Sequence, residues 1–101
     1  MSTVFVINKS CHDFAPAQEY GSLVFMTEGA LDRFNTSKMF RSFKPFIDRS
    51  QPEDYLLLTG MTVMNAVACA MFSHKHGRLN LLIFKERKGG EGQYLEKTIV
   101  F

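Results

Sequence analysis

A chain of 101 residues, 46% hydrophobic and 22% charged, has room for one core, which excludes both a disordered segment and a pair of domains. Its formal net charge of +2 lacks the basic stripe of a dedicated duplex-DNA binder, so duplex DNA is not an expected partner. Ten Phe and six Met with no Trp is a large, adaptable apolar content, part of which is expected in an interface.

Residues 3–8 (Thr-Val-Phe-Val-Ile-Asn) are β-branched and aromatic and end in polar turn formers, which predicts a strand. Asp13 is placed to cap a short helical turn over 15–19, with Pro16 in its first turn and Gly21 as terminator. Residues 22–27 read as the second strand, closed by Glu28 and Gly29. From Asn35, a suitable N-cap, Met39, Phe40, Phe43, Phe46 and Ile47 recur at helical spacing, and Pro45 is expected to kink that helix or start a new turn. Residues 50–52 end it. A continuous apolar run at 54–59 predicts a strand covered on both faces; Gly60 follows, then a helix from about Thr62 to His76 stopped by Gly77. Residues 79–84 form another such run, 87–92 are turn material, and 93–101 return as an antiparallel hairpin strand.

Strands alternating with helices imply right-handed crossovers, so the expected fold is a single α/β domain over residues 1–101. It is Rossmann-like, with a mostly parallel sheet of about five strands and two main helices. Two successive crossovers in one direction put both helices on one face, yet the runs at 54–59 and 79–84 ask for cover on both. Either the chain reverses at a switch point or a second subunit covers the other face; homodimerisation is the preferred expectation.

Ligands of open parallel sheets sit beyond the carboxyl ends of the strands. Those ends carry Asn8, Lys9 and Ser10, then Thr27, Glu28 and Gly29, then Thr59, Gly60, Met61 and Thr62, and the expected site gathers Lys9, Ser10, Thr27, Thr59, Gly60 and Thr62. A glycine between a buried strand and a buried helix opens backbone N–H groups to an anion at a helix N-terminus, with Lys9 and Ser10 adding a cation and a hydroxyl. The plainer reading of the same residues is a tight turn at Gly60 and an N-cap at Thr59 or Thr62. No nucleotide-binding glycine fingerprint is present.

Other chemistry is sparser. Cys11, His12 and Asp13 are adjacent, and their diverging side chains do not form a catalytic relay; His12 with Glu28 is the alternative acid/base couple, set against a solvated loop histidine. His74, Lys75 and His76 with Cys69 lack zinc-ligand spacing and read as cations complementing a helix C-terminus, so no metal or cofactor is expected. The alternation of Lys38, Phe40, Arg41, Phe43 and Lys44 reads as a buried aromatic face backed by solvated charges. Cys11 and Cys69 lie far apart in unlike settings. No signal peptide or bilayer-spanning segment is seen, the longest apolar-rich stretch being 61–72, so a reducing cytoplasm without membrane attachment is expected.

Four segments resemble small proteins of phages and mobile elements: Val4–Lys9, Phe34–Phe40, Asp54–Gly60 and His76–Phe84. The resemblance transfers no activity and no functional residues. It implies an accessory gene product in a bacterial cytoplasm, acting against host defence by stoichiometric binding. Three functions follow. The first is a non-catalytic binding protein for a small anionic ligand such as a nucleotide. The second is a protein–protein inhibitor of a host factor using the Phe- and Met-rich surface. The third is a small hydrolase or phosphoesterase using His12 and Glu28.

Overall fold

Val4, Phe5 and Val6 alternate across the pleat of β1 (Thr3–Val6) and are all buried, as befits an interior strand covered on both faces. β1 pairs in parallel with β2 (Ser22–Phe25) on one side and with β3 (Tyr55–Leu57) on the other. β4 (Arg78–Glu86) lies parallel to β3, and β5 (Gly92–Val100) closes the sheet as the antiparallel partner of β4. The order is β2-β1-β3-β4-β5. Two helices, α1 (Thr36–Arg49) and α2 (Thr62–His76), and a short 3₁₀ helix at Ala15–Tyr20 complete the chain. This computed structural model describes residues 2–86 and 92–101, so the turn expected over 87–92 lies, apart from Gly92, outside the described residues.

The strand order resolves the conflict between two-sided burial and one-sided helices. The β1-to-β2 connection runs one way along the sheet, and the connections through α1 and α2 run the other, so the chain reverses between β1 and β3. Phe5, Ile7 and Leu56 pack with Met39, Phe43 and Ile47 of α1 and with Met64, Ala68 and Phe72 of α2. The opposite pleat positions, Val4, Val6, Leu57 and Leu82, pack with Phe14 and Ala17 of the 3₁₀ region and with Tyr94. Leu57 and Leu82 are therefore fully buried within one chain.

Local sequence explains most of the element ends. Asn35 caps α1 as expected, its side chain accepting from the Lys38 N–H at 3.1 Å. Gly77 ends α2 in the left-handed conformation (φ 68°). Asp13 accepts from the Ala15 N–H at 2.9 Å and so starts the 3₁₀ turn, and Gly21 closes it where a Cβ would collide with the Ser2 carbonyl. Pro45 does not end α1, which runs on to Arg49. Its missing N–H falls on the exposed side of the helix, where water reaches the freed carbonyl. The expected strands at 3–8, 22–27 and 54–59 are shorter in the structure. Beyond Val6 the ladder thins to single links such as Ile7 N–H to Leu57 O and Lys9 N–H to Thr27 O. β4 is longer than expected because it pairs with β5 along its full length.

Polar anchors join the layers. Lys75, expected to serve its own helix end, instead donates to the carbonyls of Ile47, Asp48 and Ser50 and so caps the C-terminus of α1. The buried Ser50 hydroxyl donates to Ile47 O at 2.6 Å and meets His76 Nε2 at 2.8 Å. Since that hydroxyl proton is already given, the neutral imidazole serves as the donor. Burial first, and then the Lys75 ammonium, hold His76 below its ordinary pKa, against the opposing pull of Asp54 and Glu53. A lowered folded-state pKa means the unfolded chain takes up the proton first. Stability is then full above about pH 6.5 and declines as pH falls through the folded value. The melting temperature of the wild-type chain should therefore fall between pH 7 and pH 5 by more than that of His76→Gln, and equal slopes in thermal melts would contradict the assignment.

Candidate functional site

A cleft of about 360 Å³ opens at the carboxyl ends of β1, β3 and β4, beside the point where the chain reverses. One wall is made of rings. His12 lies 4.8 Å from Phe84 and 6.0 Å from Phe14, and Phe84 meets Tyr94 edge-on at 5.5 Å. The β4–β5 register brings the last two together, since Phe84 and Tyr94 are directly opposed. The other wall is polar backbone and amide: Asn8 and Ser10 after β1, and Thr59 and Gly60 before α2, with Asn65 behind them.

Asn65 is the brace of this wall. Its side-chain oxygen accepts from the Thr59 N–H at 3.0 Å and its amide donates to Thr59 O at 2.8 Å, so the β3–α2 loop is held as though by a neighbouring strand. Asn8 is also buried, accepting from the Thr27 hydroxyl at 2.8 Å. The start of α2 is left free. Its N-cap is Met61, which offers no side-chain acceptor, so the first N–H groups of a fifteen-residue helix are uncapped. Thr59 reaches only the Met61 N–H, at 3.4 Å, and Thr62 is the first helical residue; neither is the N-cap of α2. At Gly60 nothing lies within 4 Å of where a Cβ would be, so the space in front of the loop is open.

Tyr94 adds an anomaly. It is only 4% exposed, and its hydroxyl is the one buried side-chain polar atom without a hydrogen-bond partner among the described residues. Burial, and secondarily the Asp13 carboxylate, raise its pKa, so the phenol is a neutral donor. Leaving such a group unpaired costs on the order of 1–3 kcal/mol.

A sequence-family model for phage Pam3 gp32-like proteins matches residues 2–99. The chain belongs to that family. No curated protein and no solved structure matches it. The expected kinship with small phage proteins is therefore met, while the phage Pam3 gp32-like family brings no activity with it.

In this member of the family, the residues read from strand ends divide into two groups. Ser10, Thr59 and Gly60 line the cleft. Lys9, Thr27 and Thr62 do not: the Lys9 ammonium sits over the Phe25 ring at 5.1 Å, the Thr27 hydroxyl is taken by Ile7 O and Asn8, and Thr62 is exposed. Of the alternative couple, His12 lines the cleft. Glu28 is not among the lining residues; it pairs through its backbone with Lys9, and no hydrogen bond joins it to His12. Sequence reading placed Asn8 at a strand end without including it in the site, and it missed Asn65, Phe84 and Tyr94. The signal for the last two was their strand parity, which becomes informative only once β4 and β5 are placed in register.

Near the remaining candidates, His76 is engaged with Ser50, burial pushes the Cys69 thiol up, and no metal-binding cluster occurs among the described residues. None of the described helices is long and apolar enough to cross a membrane.

Proposed function

We propose that this phage protein is a Rossmann-like binding protein that takes up a nucleoside or nucleotide in the cleft at the β1/β3 reversal. It works by stoichiometric capture in the bacterial cytoplasm rather than by turnover, as befits a counter-defence factor. The buried, unpartnered hydroxyl of Tyr94, a residue of the cleft lining, carries the reading together with the rings around it. A ligand offering an acceptor recovers the cost of leaving it unpaired. The rings of His12 and Phe84 suit a planar base, since stacking is worth roughly 1–3 kcal/mol per base. The uncapped start of α2 beside Gly60 suits a phosphate. Strand order supports the location, because doubly wound sheets hold ligands where the connections diverge.

The test uses titration calorimetry with the four ribonucleoside 5′-monophosphates and their free nucleosides. At least one should bind. Tyr94→Phe removes the orphan hydroxyl, so it should leave the melting temperature equal or higher while weakening binding about tenfold. Gly60→Ala, whose added methyl meets open space, should fold normally and obstruct the ligand. Silence toward every compound, or binding that neither variant disturbs, would remove the cleft as the site.

A further inference from the structure

A second and larger opening, about 740 Å³, runs between α1 and α2 on the side of the helices turned away from the sheet. Its floor is apolar: Phe40 of α1, which is 48% exposed, faces Val67, Ala70 and Met71 of α2. On α2, Val67, Ala70, Met71 and His74 fall at i, i+3, i+4 and i+7, one stripe along two turns. This explains why α2 is apolar nearly all round. Met64, Ala68 and Phe72 serve the core, while Val67 and Met71 pack partly against it and, with the exposed Ala70, turn their remaining surface to the groove.

The rim is positive. α2 contains no acidic residue, and α1 contains only Asp48, which Lys44 already engages at 3.0 Å. Arg41 and His74 line the groove, and Lys38 lies one turn before Arg41 on the same helix. Lys44–Asp48 is the only salt bridge among the described residues, so Arg41 and Lys38 keep their charge uncompensated. Arg49 rests over the Phe46 ring and Lys75 is spent on the carbonyls closing α1, which leaves Arg41 as the free cation of the lining, beside His74.

We propose that this groove docks an amphipathic helix of another protein, one that carries Glu or Asp beside its apolar stripe. The apolar floor with outward stripe spacing selects a helix whose anchors recur at i, i+3, i+4 and i+7, and the unpaired cations select acidic flanks. A nucleic-acid strand would satisfy the rim but leave the floor of Phe40, Val67 and Met71 unused. This surface lies across the helical layer from the proposed nucleotide cleft, shares no lining residue with it, and stands or falls independently.

The experiment uses the full chain and two fluorescein-labelled synthetic helical peptides. Both carry one leucine stripe at the spacing above; one has Glu at the flanking positions and the other Lys. In anisotropy titrations the Glu-flanked peptide should bind at least about tenfold more tightly than the Lys-flanked one. Phe40→Ala should weaken the Glu-flanked peptide, and Arg41→Glu should reverse the preference; both residues are exposed, and circular dichroism checks that the variants fold. Equal binding of the two peptides, or a preference untouched by Arg41→Glu, overturns the proposal. A single-stranded oligonucleotide that binds in place of the peptides and is lost in Arg41→Glu overturns it in favour of nucleic acid. Dissociation of a self-associated wild-type chain by Phe40→Ala overturns it in favour of a second copy.

Discussion

Replacing Phe72 with alanine is expected to cost about 3–5 kcal/mol, enough to leave a domain of this size close to unfolding. Phe72 is among the largest fully buried side chains and lies where α2 meets the sheet. α2 depends on it more than a strongly amphipathic helix would. Its core-facing positions are Met64, Ala68 and Phe72 at four-residue spacing, and Ala68 contributes little area. The ring also backs His76 at 4.5 Å, so its removal loosens the imidazole that donates to Ser50 and the turn that places Lys75 under α1. Urea unfolding followed by circular dichroism measures the effect. Phe72→Leu, which keeps most of the volume, should lose under about 1.5 kcal/mol. Phe34→Ala, at a side chain 83% exposed, should stay within about 0.5 kcal/mol of wild type. A Phe72→Ala loss below about 1 kcal/mol would mean that α2 is held by something other than this seam.

The elements were readable because local chemistry decides them. Asn35 and Gly77 mark helix ends through bonds within a turn of themselves, and the apolar runs around Leu56 and Leu82 announce burial on both faces. What covered the second face was not readable. It comes from the direction of the β1-to-β2 connection, which brings Phe14 and Ala17 under Val4 and Leu57, and no periodicity encodes a direction. The site was half readable for the same reason. A position just past a strand places a residue near the cleft but does not aim its side chain. Thr27 turns back to Ile7 O and Asn8, and Lys9 settles over Phe25, while Ser10 and Thr59 stay on the lining. The ring wall depends on pairing between distant residues, Phe84 with Tyr94 and both with the loop carrying His12. In sequence these are unrelated aromatics, and the expectation of an acidic partner for His12 passed over the rings that enclose it.

Asn80→Asp, nearly isosteric, should destabilise the chain by roughly 3 kcal/mol at neutral pH, because it reverses the polarity of a buried junction. Asn80 is 3% exposed. Its amide nitrogen donates to Pro52 O at 2.6 Å and Asp54 O at 2.8 Å, which ties the loop after α1 to β4. Its side-chain oxygen accepts from Arg78 Nε at 3.1 Å and Nη2 at 2.9 Å. In the variant the second position becomes an oxygen facing two carbonyls, so two donated bonds are lost and three acceptors converge. The Asp54 carboxylate nearby, itself fixed by the Thr3 and Gln51 N–H groups, adds repulsion, and Arg78 returns only part of the loss. The charged form of the new carboxyl is disfavoured in the fold, so its folded pKa lies above the unfolded value. The penalty therefore grows as pH rises through that window and shrinks on acidification, when the protonated carboxyl donates to one carbonyl. The gap between variant and wild type should accordingly narrow from pH 7 to pH 5, a range in which the His76 effect makes the wild type itself less stable. Urea midpoints at the two pH values measure it. A gap that is small and independent of pH would show that water, rather than the Asn80 amide, satisfies the Pro52 and Asp54 carbonyls.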